Sequence, residues 1–393
     1  MIIKTTNQVK DIVLMSTADW DHPFWTNKQH TAQALVKLGF RVFYIDSLGS
    51  RKLRLKQTKD LKRVWQRLQR LFSKPREVEK NLWVWSPCVL PVNFEKLSGL
   101  NRILFSVLLK YWLKKLSFCS RPLFWTYNPL SFLYMSPKHF SHIVYHCVDN
   151  IAEQPGAFAE LIQSQEKQLF KQANYVFVTS RALEQLALSY SKNVHYFPNV
   201  VDFEHFHQAC LDITVPADLQ AIPHPRAGFI GAISAYKVDL ELLCKVAIAL
   251  PDVSLVLIGA IGEGDPDTKV DQLLKLPNVY FLGPKRYDQL PHYLKGLDVC
   301  LIPANINEYT RAMFPMKFFE YLAAGKPIVA TDIDAIKEYG AVYSVAGDAD
   351  AFAKKIMCEI ENNDLTFMQD RLALAKKNTY LTRTKNMLEC LDR

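Results

Sequence analysis

Long apolar runs are missing from this sequence. No stretch reaches the roughly 18 uncharged apolar residues that a membrane-spanning helix needs, so none is expected to cross a bilayer. The opening residues, MIIKTTNQVKDIVLM, lack the apolar core and small-residue cleavage site of a secretory signal. Cysteine occurs eight times but never as C-x-x-C, which argues against a disulfide framework and fits a reducing compartment. His and Cys are too scattered for a zinc site, and the HFH of residues 205–207 reads as solvated. Glycine is scarce, 14 in 393 residues, so each loop glycine carries meaning. These absences lead to the expectation of a cytoplasmic globular protein with chain enough for two or three domains.

What is present begins with charge. The formal net charge is +9, and residues 51–80 hold twelve Lys and Arg against three Asp and Glu, an excess equal to the whole. Within that segment Leu61, Val64, Trp65, Leu68, Leu71 and Phe72 recur at helical spacing. A basic amphipathic helix is the pattern of a segment lying on an anionic membrane surface. Residues 100–118, LNRILFSVLLKYWLKKLSF, form a second such candidate, apolar but broken by Lys110, Lys114 and Lys115. No nucleic-acid module accompanies the charge, so nucleic acid is not an expected partner.

Apolar strands alternate with helical stretches along the chain, the pattern of parallel sheets covered by helices. DIVLMST, RVFYID, NLWVWSP, PLFWTYN, HIVYHCVDN and YVFVTS make one series. Residues 203–225, polar with three prolines, read as a linker, and RAGFIGAIS opens a second series. The predicted fold is α/β, two doubly wound domains facing a cleft. The first spans residues 1–202 and the second 203–374, with a helix from about 375 to 393 packing back on the first. Open α/β sheets bind ligands beyond the carboxyl ends of their strands.

In PMKFFEYLAAGKPIVATD, residues 315–332, Lys317 and Glu320 lie one helical turn apart and share a face. They form either a surface ion pair or a joint grip on a ligand bearing negative charge and hydroxyls. Asp149, in YHCVDN, falls just beyond a strand, where it suits a general base or a helix N-cap; His146 is the second choice for the base. Asp21 and His22 follow the first strand, among Trp20, Phe24 and Trp25.

The C-terminal half resembles the GT-B-fold, nucleotide-sugar-dependent glycosyltransferases that build bacterial surface polysaccharides. YFPNVVD resembles the interdomain hinge, GFIGAIS with Lys237 the phosphate-facing loop, and NVYFLGPKRYDQLPHYLKGLDVCLIPA the stretch before the nucleotide site. PMKFFEYLAAGKPIVATD resembles the donor-binding helix, and its Pro-Met-Lys triplet also resembles the xanthan glucuronosyltransferase. The resemblance implies a GT-B pair of Rossmann-like domains. It implies a UDP- or GDP-sugar donor held by Gly231, Lys237, Pro315, Met316, Lys317 and Glu320. With such a donor, Asp149, His146 or Asp21 is the expected catalytic group, and Trp20, His22 and Trp25 are the expected lining for a lipid-linked saccharide acceptor. Many relatives carry a glutamate eight positions before the one matched here by Glu320; this chain has Ala312. No Asp-x-Asp triplet stands where a metal-dependent transferase would place one, so neither metal nor cofactor is expected. The expected location is the inner face of the cell membrane. Rival readings are a nucleotide-sugar epimerase of similar fold and a non-catalytic sugar-nucleotide-binding partner.

Overall fold

The computed structural model describes residues 10–48, 74–87, 95–263, 265–362 and 365–391. The chain divides into two compact units. One comprises residues 1–197 and 383–393, the other residues 198–382.

The first unit is built on an eight-stranded sheet. Its strands are β1 (Asp11–Met15), β2 (Arg41–Ile45), β3 (Arg76–Glu79), β4 (Leu82–Trp85), β5 (Leu123–Thr126), β6 (Ile143–Cys147), β7 (Tyr175–Val178) and β8 (Val194–Tyr196). They lie in the order β3-β4-β2-β1-β5-β6-β7-β8, and all pairs are parallel except β3 with β4. The central strands are buried on both faces, which is why they read as continuous apolar runs rather than as alternations. Edge strand β3 is REVE, mostly exposed, and its charges guard the open edge. Helices α1 (Asn27–Lys37), α2 (Glu95–Lys115), α3 (Ala159–Gln172) and α4 (Arg181–Leu188) belong to this unit.

The helix expected over residues 51–80 is corrected at its end, where residues 76–79 pair as a strand; residues 49–73 lie outside the described residues. Helix α2 covers most of the second membrane candidate. Asn101, Phe105, Leu109 and Leu113 are buried, while Ile103, Val107 and Tyr111 stay more than half exposed.

The second unit carries a six-stranded parallel sheet in the order β11-β10-β9-β12-β13-β14. Its strands are β9 (Arg226–Ile230), β10 (Ser254–Ile258), β11 (Val279–Gly283), β12 (Val299–Ile302), β13 (Ile328–Ala330) and β14 (Ser344–Val345). Its main helices are α5 (Leu240–Ala249), α6 (Leu290–Lys295), α7 (Met316–Ala323), α8 (Ala349–Glu361) and α9 (Leu365–Lys377).

Residues 203–225 are not a linker. Phe203, Phe206, Leu219 and Ile222 are buried in one core with Leu294 and Phe319, so this polar-looking segment is held by four apolar anchors. The last helix, Tyr380–Leu391, starts in the second unit, and from Arg383 onward the chain belongs to the first. There Met387 and Leu388 join the core of β1 and β2.

Candidate active site

Helix α7 begins after Pro315, whose extended backbone serves as its N-cap. It ends in a Schellman motif. Gly325, at φ +69°, donates to the Leu322 carbonyl at 2.9 Å, and Lys326 N–H reaches the Tyr321 carbonyl at 3.0 Å. The Gly-Lys-Pro stop thus hands the chain directly to β13.

On this helix Lys317 Nζ lies 2.5 Å from Glu320 Oε2. The ion pair anticipated as the plainer reading is present, but it is not a surface pair, because the Glu320 side chain is only 7% exposed. The other oxygen of Glu320 has no hydrogen-bond partner among the described residues. A buried carboxylate with one oxygen left open accepts from a hydroxyl strongly, because the bond is charge-assisted.

Beside it, burial and the charges of Glu320 and Asp202 raise the Tyr287 phenol far above its usual range, so it remains protonated. The Tyr287 ring stacks on His205 at 4.2 Å, and His207 stacks on Phe203 at 4.9 Å. The HFH histidines are therefore packed rather than solvated, a pattern their polar neighbours concealed.

Tyr321 ties α7 to the end of β9, its hydroxyl accepting from the Ile230 N–H at 2.9 Å. Gly231 follows immediately. The nearest atom a Cβ there would meet is the tip of the Phe229 ring, at 3.0 Å. The stricter requirement falls on Gly259, which the sequence reading passed over. It has φ +153°, and a Cβ would lie 1.8 Å from the Gly231 carbonyl oxygen. The loops after β9 and β10 can touch only because residue 259 has no side chain. Gly259→Ala is expected to cost about 3 kcal/mol, measurable as a lowered urea midpoint at unchanged m-value; an unshifted midpoint would show that the loops part freely.

Lys237 stands over the rings of Tyr236 at 5.1 Å and Tyr309 at 5.5 Å, with no carboxylate paired to it among the described residues. Asn305 and Asn307 lash this loop down. Asn305 Nδ2 donates to the Ala235 carbonyl at 2.5 Å, and Asn307 Nδ2 to the Tyr236 carbonyl at 2.8 Å. Neither asparagine was singled out from sequence. Ala312 is buried, and nearby Glu308 and Arg311 face each other at 3.8 Å. Asn199, of the PNVVD segment, donates to the Phe314 carbonyl at 2.6 Å and so fixes the approach to Pro315 and Met316.

In the first unit Asp149 lies two residues past the end of β6 and is half-buried. The following 3-10 turn takes Asn150, not Asp149, as its N-cap, with no side-chain cap bond. His146, the alternative base, is sealed in the sheet against Trp125, Tyr127 and Phe177. Burial, with Arg383 and Lys28 adding to it, drives its pKa well below the imidazole range, so the ring is neutral. With no exposed surface, it is not placed to touch a substrate.

The residues after β1 divide. Trp20 is buried against Trp25 at 5.0 Å and Tyr44 at 5.2 Å, and Trp25 packs edge-on to His30. Trp20 is thus part of the core, while Trp25 packs against it half-buried. Asp21 is exposed and meets Arg76 at 2.5 Å, and His22 Nδ1 accepts from the Phe24 N–H at 3.2 Å. The carboxylate that organises this loop is Asp46, which sequence reading missed although it directly follows β2. It accepts from the Trp20 N–H at 2.7 Å and from the Ser86 hydroxyl. Burial pushes its pKa up to about 6 against those two bonds.

Residues 224–362 match the family described as Glycosyl transferases group 1. The putative teichuronic acid biosynthesis glycosyltransferase TuaH of Bacillus subtilis (strain 168) is 27% identical, over 60% of this chain and 63% of its own length. The match thus spans less than two thirds of that relative. Among solved structures, the sucrose-phosphate synthase of Thermosynechococcus elongatus aligns with a TM-score of 0.70 at 17% identity, covering 97% of this chain and 98% of that one. HepE of Anabaena, in complex with UDP and glucose, aligns with a TM-score of 0.65 at 16% identity, covering 98% and 99%. Among the described residues, no helix is long and apolar enough to cross a membrane.

Proposed function

We propose that this chain, which has the GT-B fold and carries a group 1 glycosyl transferase domain, moves a sugar from a UDP- or GDP-sugar to a lipid-linked saccharide during assembly of a bacterial surface polysaccharide. The observation that carries the proposal is Glu320, a buried carboxylate with one oxygen open, one helical turn from an ammonium. Vicinal ribose hydroxyls suit the open oxygen, and the diphosphate suits Lys317 and Lys237. The backbone N–H groups at the start of α7 add donors and the positive end of a helix dipole.

Asp149 takes the proton from the acceptor hydroxyl as that oxygen attacks the anomeric carbon. The bond from that carbon to the diphosphate breaks, and the nucleoside diphosphate leaves with the electron pair. Its growing charge is met by the two lysines, so the reaction proceeds without a metal. With Ala312 where relatives have a second carboxylate, a single base and inversion of the anomeric carbon are the fitting outcome. The polysaccharide named for TuaH and the UDP bound in HepE support the same reading.

The test is release of free nucleotide from a panel of UDP- and GDP-sugars, with and without lipid-linked acceptors. Acceptor-dependent release from one donor supports transfer. Interconversion of two nucleotide sugars without release would indicate an epimerase, and tight binding that no acceptor converts to turnover would leave only a binder.

Attachment to the inner face of the membrane is assigned to α2. Its outward face carries Ile103, Val107 and Tyr111 beside Arg102, Lys110, Lys114 and Lys115. Apolar insertion flanked by lysines is the chemistry of an anionic lipid surface. The double variant Ile103→Glu, Val107→Glu is expected to lower sedimentation with phosphatidylglycerol vesicles by about tenfold or more. Both positions are exposed, so the melting temperature should hold. Equal sedimentation would remove α2 from the interface.

A further inference from the structure

On α3 the buried residues are Ile162, Glu166, Leu169 and Phe170. This is the spacing of an apolar stripe, with an acid in one of its slots. The Glu166 side chain faces the sheet, where Oε1 accepts from the Tyr145 hydroxyl and lies 3.7 Å from Cys147 Sγ. Burial raises its pKa above the usual carboxyl value. Its other oxygen has no partner among the described residues.

Glu166 also lines a cavity of about 430 Å³ between α3 and α4, within the range of small-ligand pockets, roughly 300–1,000 Å³. Asn150, Gln163, Ser164, Lys167 and Tyr190 share the lining. Tyr190 is stacked on Phe170 at 6.1 Å, with Lys167 Nζ 5.3 Å from its ring centre, so that wall is fixed. We propose that this cavity is a saccharide subsite, holding a neutral sugar residue of the acceptor. The inference rests on the glycosyltransferase reading.

Two amides, a hydroxyl and a carboxyl oxygen offer donors and acceptors at the density a pyranose ring presents. Glu160 and Glu166 together disfavour an anionic ligand, and the one ammonium is already engaged with Tyr190. The cavity reaches Asn150, the residue directly after Asp149, which puts it on the same loop as the proposed base. All of its lining belongs to the first unit, whereas Lys317 and Glu320 belong to the second.

The experiment is saturation-transfer NMR on the full chain with the methyl glycosides of glucose, mannose and N-acetylglucosamine, beside a titration with UDP. At least one glycoside should receive transfer. Gln163→Trp, at an exposed position, should block the mouth of the cavity and weaken that signal about tenfold with UDP binding unchanged. Glu166→Gln keeps an acceptor for Tyr145 and should also weaken it. No transfer from any of the glycosides, or a signal indifferent to Gln163→Trp, overturns the proposal. Glycoside binding without nucleotide turnover would count against the transferase reading and leave the subsite standing. Turnover without glycoside binding would count against the subsite alone.

Discussion

Alanine at Asp149 is expected to lower acceptor-dependent turnover by about a thousandfold, within the range for loss of a general base, and to leave the dissociation constant for UDP unchanged. Asp149 lies past the end of β6, half-buried, outside the hydrophobic cores. Its removal should therefore spare the fold, and the melting temperature is the control. The N-cap position of the following turn is taken by Asn150 and not by Asp149. Asp149→Asn should fail similarly, since an amide cannot take the proton. Turnover near the normal rate in either variant would move the base elsewhere, and His146 is a poor substitute because it is sealed and neutral.

Glu320→Ala is expected to have the opposite signature. The dissociation constant for UDP or GDP should rise about a hundredfold, corresponding to roughly 3 kcal/mol for two charge-assisted hydrogen bonds to hydroxyls. The variant also releases Lys317, now 2.5 Å from Glu320 Oε2, so part of the loss reflects a phosphate ligand no longer held in place. Glu320→Gln should recover some of the affinity, because an amide oxygen still accepts from one hydroxyl, though without charge. The readout is calorimetric titration with the nucleotide alone, which separates binding from turnover. Undiminished affinity in Glu320→Ala would refute the donor site, whatever Asp149 does.

The placement of these side chains is legible in the sequence, for different reasons. Lys317 and Glu320 share a face by local geometry, since a three-residue spacing on a short helix puts two side chains together wherever that helix packs. Asp149 falls just beyond a parallel strand, a matter of topology. Local reasoning failed where a residue's meaning depended on distant partners. Gly231 drew notice as a loop glycine, yet the steric demand sits at Gly259, because only the pairing of β9 with β10 brings the Gly231 carbonyl against it. Trp20 suggested a sugar platform, yet it is buried in the core against Tyr44. The 203–225 segment looked like a tether because its four apolar anchors are widely spaced.

The sequence by itself determined the alternation of strands and helices, the two-sheet α/β plan and the paired charges of α7. Each follows from the repeat of the backbone within a few residues. Tertiary structure alone decided which polar side chains are closed off and which keep an open atom. His146 and Glu166 sit near or on neighbouring elements of one unit, yet one is enclosed by aromatic rings and the other borders a cavity. Burial is a property of everything packed around a side chain, and strands and helices far apart in the chain supply most of that surrounding.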